Sequence, residues 1–193
     1  MDLGLIIVII LRLIVPFSIL RYPLAGFLTA ILLDVFDAPL ASLIGGHTLG
    51  FGGDFIEYNL IDKWLDTYFL FFGFLVSLRW QNSLAKKTAS LLFWFRFFGV
   101  VVFSLTGLRA LLFFFPNIFE FFYLYYLTIA RRFPALSPDS FKKLMLILII
   151  LLIPKLFFEY LLHVQQLEAV GIINLLTPLE IKSPTILQWL KGY

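Results

Sequence analysis

Cysteine is absent from all 193 residues, so no disulfide, thiolate metal site or thiol nucleophile is available. Histidine is nearly absent too. His47 and His163 stand alone, and neither has the second histidine that a paired axial-ligand site for haem or chlorophyll uses. Charge is scarce: Asp, Glu, Lys and Arg make up 14% of the chain, against roughly 25% in soluble domains. The net charge of +3 is spread over connections, which excludes a nucleic-acid-binding face and a charged disordered chain. Apolar residues fill the space instead, at 61% of the chain with 24 phenylalanines and a mean hydropathy of +0.97. One soluble core of this size cannot bury that much apolar surface. The composition is that of an integral membrane protein in contact with lipid.

A helix needs about 20 apolar residues to cross a roughly 30 Å hydrocarbon core. Six stretches qualify, at 3–20, 24–44, 58–80, 88–105, 110–130 and 144–164. The sequence therefore predicts an all-α, polytopic bundle of six transmembrane helices over 1–164. A tail over 165–193 would lie at the interface or dock on a partner. Short connections at Arg21-Tyr22-Pro23 and Thr106-Gly107-Leu108-Arg109 predict antiparallel neighbours. The glycine-rich stretch 45–53 reads as a surface loop without phosphate-loop or dinucleotide spacing. Met1-Asp2 replaces the basic start of a cleavable signal, so the first segment is expected to span. In the tail, Pro178 and Pro184 break any helix, and Trp189, Lys191 and Tyr193 are types that settle at headgroup level.

Loop charges set the expected orientation. Arg21, Arg79, Lys86, Lys87, Arg131, Arg132, Lys142 and Lys143 fall on one side, and only Arg109, Lys182 and Lys191 on the other. The positive-inside rule then places both termini outside the cytoplasm of a cell or inner membrane.

Every segment nonetheless carries an ionisable residue at membrane depth: Arg12; Asp34 and Asp37; Asp62, Lys63 and Asp66; Arg96; Glu120 beside Asn117; and Lys155, Glu159 and His163. A single charge at a helix centre costs roughly 2.5–3.5 kcal/mol on insertion scales. Six such helices predict a shared polar interior. Spacing agrees, because Asp34/Asp37, Asp62/Asp66 and Lys155/Glu159/His163 recur at three or four residues and so share a face. In a purely structural reading Arg12, Arg96 and Lys155 pair with Asp34, Glu120 and Glu159. Lys155 lies too deep to snorkel, and Glu120 is its expected partner, with Asn117 as a further donor.

The carboxylates also have an order. Asp34-Val35-Phe36-Asp37 is followed by Ala41, and then by Asp62-Lys63-Trp64-Leu65-Asp66; Leu11-Arg12 and Pro16 precede them. This first third of the chain resembles the CDP-alcohol phosphotransferases, six-helix membrane enzymes of phospholipid synthesis. Their second helix ends in Asp-x-x-Asp-Gly-x-x-Ala-Arg, and their third carries Gly-x-x-x-Asp-x-x-x-Asp. Here Ala38, Ser42 and Tyr58 stand at the first glycine, the arginine and the second glycine, and the Asp37–Asp66 separation is about seven residues longer. The resemblance implies Mg²⁺ or Mn²⁺ held by Asp34, Asp37 and Asp62, with Asp66 as a further ligand or as the base that deprotonates the attacking alcohol.

Three functions follow as expectations. The first is a non-catalytic transmembrane subunit of a larger complex, with membrane lipid and other membrane subunits as partners, no nucleic acid, and phenylalanine-rich faces for contact. The second is the phosphotransferase-like enzyme. The third is a small proton- or ion-coupled transporter using Asp66, Glu120, Lys155 and Glu159 as a relay.

Overall fold

Proline sets the first departure from expectation. The segment expected as one helix over 3–20 is two in the computed structural model: α1 (Leu3–Ile14) and α2 (Phe17–Arg21). Pro16 has no N–H to give the preceding turn, and the Ser18 hydroxyl donates to the Val15 carbonyl at the break, 2.6 Å away. α3 (Pro23–Val35) follows at once with proline in its first position, where a missing N–H costs nothing. Then come α4 (Phe55–Ser77), α5 (Ser83–Thr106), α6 (Ala110–Phe114) and α7 (Ile118–Tyr125). α7 runs into a π-helical turn (Tyr126–Ala130), followed by a 3-10 turn (Pro134–Leu136) and α8 (Phe141–His163). The structure describes residues 3–37, 40, 44, 55–108 and 110–163, with backbone alone at 55–59, 110 and 157–163. The glycine-rich stretch 45–53 and the tail 165–193 lie outside the described residues. Among those described, the chain is all-helical with no strand.

Asparagine and glycine close the long helices. Asn82 Oδ1 accepts from the Ala85 N–H at 2.9 Å to cap α5. Gly107 ends it at φ 71°, its N–H donating to the Phe103 carbonyl at 2.8 Å. The fifth expected segment, 110–130, is also broken: Phe115, Pro116 and Asn117 separate α6 from α7. Pro154, by contrast, sits inside α8 and the helix continues past it.

Contacts give the helix directions. Leu13 and Phe17 meet Tyr68 and Phe72, so α1 and α2 run parallel to α4. Phe27 meets Phe69 while Arg12 reaches Asp34 and Asp66, so α3 runs against α4. α5 also opposes α4, with Trp64 Nε1 donating to Ser104 Oγ and Phe74 stacked on Phe93. α7 turns back, Phe119 against Phe93 and Tyr123 against Trp80. Asn82 Nδ2 donates to Ser137 Oγ and the Pro138 carbonyl, which joins the α4–α5 turn to the connection before α8.

α4 is the hub, touching α1, α2, α3, α5 and α7. Around it an aromatic core of Phe27, Phe69, Phe93, Phe119, Phe122 and Tyr123 is fully buried or nearly so. Outside, large apolar side chains face outward, Leu105 82% exposed and Leu91 70%. Buried polar groups sit within: Arg12, Asp66, Thr67, Ser77, Thr88, Arg96 and Asn117. Leu3–Arg21, Ser83–Thr106 and Leu111–Ala130 are long and apolar enough to cross a membrane. The protein is helical and membrane-associated.

Candidate functional site

Helical spacing builds the site. Asp62 and Asp66 are one turn apart on α4, Asp34 is in the last turn of α3, and Asp37 lies just beyond it. Arg12 projects from α1 between these elements, with only 5% of its side chain exposed. Its guanidinium reaches all four carboxylates. Nη1 donates to Asp37 Oδ2 and Asp62 Oδ1, each at 2.7 Å, and Nη2 donates to Asp66 Oδ1 at 2.6 Å and to Asp34 Oδ1. Lys63 completes the group, its Nζ 2.7 Å from Asp62 Oδ2 and 2.9 Å from Asp66 Oδ2. Asp34, Asp62 and Asp66 each bring an oxygen within 4.8 Å of the others. Asp34 is the most open of the four carboxylates. The Tyr68 hydroxyl donates to the Leu13 carbonyl at 3.2 Å and holds α1 against α4 beside the tetrad.

Among the described residues, the other charged side chains within the helices form no ion pair with this cluster. Arg96 is buried on α5, and its Nη1 donates to the Phe115 carbonyl at the α6–α7 break, 2.9 Å away. Its Nε has no hydrogen-bond partner. Asn117 and Glu120 form a reciprocal cap: Asn117 Nδ2 donates to Glu120 Oε2 at 2.9 Å, and Asn117 Oδ1 accepts from the Glu120 N–H at 3.4 Å. Lys155 Nζ stands 5.6 Å from the centre of the Phe121 ring, one residue from Glu120. The side chains of Glu159 and His163 lie outside the described residues.

Lys63 bridges Asp62 and Asp66, the residues one before and three after it. The Phe115 carbonyl as a partner for Arg96 had a partial signal in Pro116, which interrupts the helix there.

Chemically the tetrad is an oxygen-only site in which four carboxyl groups face two cationic side chains. Comparison of the chain with protein-family models, curated proteins and solved structures finds no match.

Proposed function

We propose that this chain is a six-span membrane protein whose aspartate tetrad holds a divalent cation and acts on a phosphate ester, as in the CDP-alcohol phosphotransferases it resembles. The observation that carries the reading is the meeting of Asp34, Asp37, Asp62 and Asp66 around one point. The donor set fits the ion. It is all oxygen, it sets four carboxyl groups against two cationic side chains, and three of them are close enough to share one ion. Asp34, Asp62 and Asp66 would hold a Mg²⁺ or Mn²⁺, which when bound supplies charge neutralisation to a diphosphate. Asp66 is the most buried carboxylate of the four and would serve as ligand or as base for an attacking hydroxyl, with Lys63 holding its second oxygen. Arg12 balances the cluster from the third side.

The six-span reading draws on the alternating helix directions and on the 23-residue lengths of α4 and α8. Orientation draws on the joined connections near Asn82 and Pro138, which gather Arg79, Lys86, Lys87, Arg131, Arg132, Lys142 and Lys143 at one end. With that end cytoplasmic, both termini lie outside and the tetrad opens toward the outer half.

The test is an assay of the purified chain for CMP release from CDP-alcohols with and without Mn²⁺. Metal-dependent release that is abolished in a folded Asp66→Asn variant supports the reading. No release from any CDP-alcohol, with a melting temperature that Mn²⁺ does not move, overturns it.

A second reading, a non-catalytic subunit of a larger membrane complex, is favoured by Arg12 itself. One guanidinium that satisfies four carboxylates locks three helices in register without chemistry. On that reading Asp66→Asn changes stability and assembly alone.

A further inference from the structure

Three cations stand on the interior faces of α1, α4 and α5, and two of them are committed. Arg12 is held by four aspartates and Lys63 by two. The third, Arg96, is 7% exposed, and among the described residues no carboxylate comes within ion-pair reach of it. Its one hydrogen bond goes to a neutral backbone carbonyl, and its Nε–H is buried without an acceptor. Burying an unpaired guanidinium is costly enough that such groups are normally matched to an anion. The partner that the described residues do not supply is a negatively charged acceptor, and a guanidinium is shaped for phosphate oxygens.

Arg96 lies on the helix that packs against α4, which carries two of the tetrad's aspartates. Trp64, next to Lys63, bonds Ser104 at 3.1 Å and packs on Phe97, next to Arg96.

We propose that Arg96 is the anion-binding residue of this protein, donating from its buried guanidinium to a phosphate oxygen of the ligand whose cation the aspartate tetrad holds. The proposal rests on the cation reading of the tetrad for its second half only. The anion site itself is defined by Arg96.

Both sources of phosphate are testable with the purified chain in phosphatidylcholine nanodiscs. One arm adds inorganic pyrophosphate, with and without Mn²⁺. The other replaces part of the lipid with phosphatidic acid and adds no pyrophosphate. Thermal stability and pyrophosphate affinity are read for wild type, Arg96→Lys and Arg96→Gln. Arg96→Lys keeps the charge and a donor for the Phe115 carbonyl while deleting the Nε–H, so it separates anion binding from simple support of the helix break. The expected result is stabilisation of wild type in one arm, with affinity weakened roughly tenfold or more in both variants, and Mn²⁺ binding retained in both. The arm that stabilises identifies a free or a lipid-borne phosphate. Stabilisation in neither arm, or equal stabilisation of wild type and Arg96→Lys, overturns the proposal. Loss of Mn²⁺ binding in wild type with an Arg96-dependent anion effect intact overturns the cation reading instead, and the two failures are distinct.

Discussion

At the scale of the residue, Arg12 is the keystone of the interior. Removing it leaves four carboxylates with Lys63 as their remaining cation among the described contacts, and breaking a buried pair by deleting one partner costs about 3–5 kcal/mol. Arg12→Gln should lower the unfolding free energy in chelator by that amount, read as a lower melting temperature, and recover part of it in Mn²⁺. Asp34→Asn should behave in the opposite sense. It relieves like-charge repulsion in a cluster that is already over-acidic, so in chelator it should cost less than about 1 kcal/mol while weakening any response to Mn²⁺. Differential scanning fluorimetry on the pair of variants checks both signs. Lys155 offers a separate test. If Glu120 is its electrostatic partner across the ring of Phe121, Lys155→Glu destabilises and adding Glu120→Lys restores much of the loss. Simple additivity of the two changes would show that they are uncoupled.

At the scale of the element, two prolines break helices and a third, Pro154, lies inside one, and at each break a side chain meets the carbonyl that precedes the proline. Ser18 takes the Val15 carbonyl at the Pro16 break, and Arg96 takes the Phe115 carbonyl at the Pro116 break. Gly99 makes the second break possible, because a Cβ there would stand 2.3 Å from Phe115 Cβ. Gly99→Ala should therefore cost about 1–3 kcal/mol through overpacking. Because the clash pushes on the residue that supplies the carbonyl for Arg96, the same variant should bind pyrophosphate more weakly. Before α8, the Lys143 ammonium hydrogen-bonds Asp139 at 3.2 Å and, with backbone N–H groups, holds its carboxyl below the usual aspartate range. A depressed carboxyl contributes stability above its ordinary range and loses it on acidification. Asp139→Asn should remove that small acid-dependent component from a melting-temperature profile.

At the scale of the whole molecule, polar groups lie inside and the apolar exterior is left for lipid, the reverse of a soluble domain. The absence of cysteine makes orientation simple to measure. Leu108→Cys and Leu136→Cys lie on exposed connections at opposite ends of the bundle. In intact cells an impermeant maleimide should label Leu108→Cys and leave Leu136→Cys unlabelled until the membrane is opened. The reverse pattern would turn the tetrad toward the cytoplasm, where soluble nucleotide donors are found.

The sequence by itself determined the class of the molecule and the phase of its polar faces. Composition forces a membrane environment, and three- and four-residue spacing forces Asp34 with Asp37 and Asp62 with Asp66 onto single faces, because both follow from local chemistry and helix periodicity. Helix ends at Asn82 and Gly107 are equally local. Only the tertiary structure decided which charges meet. That one arginine from α1 spans all four aspartates, that Lys63 turns inward and that Arg96 is left with a carbonyl depend on how helices far apart in sequence rotate and slide against one another. The same holds for the Phe115 carbonyl, whose partner Arg96 comes from a different helix.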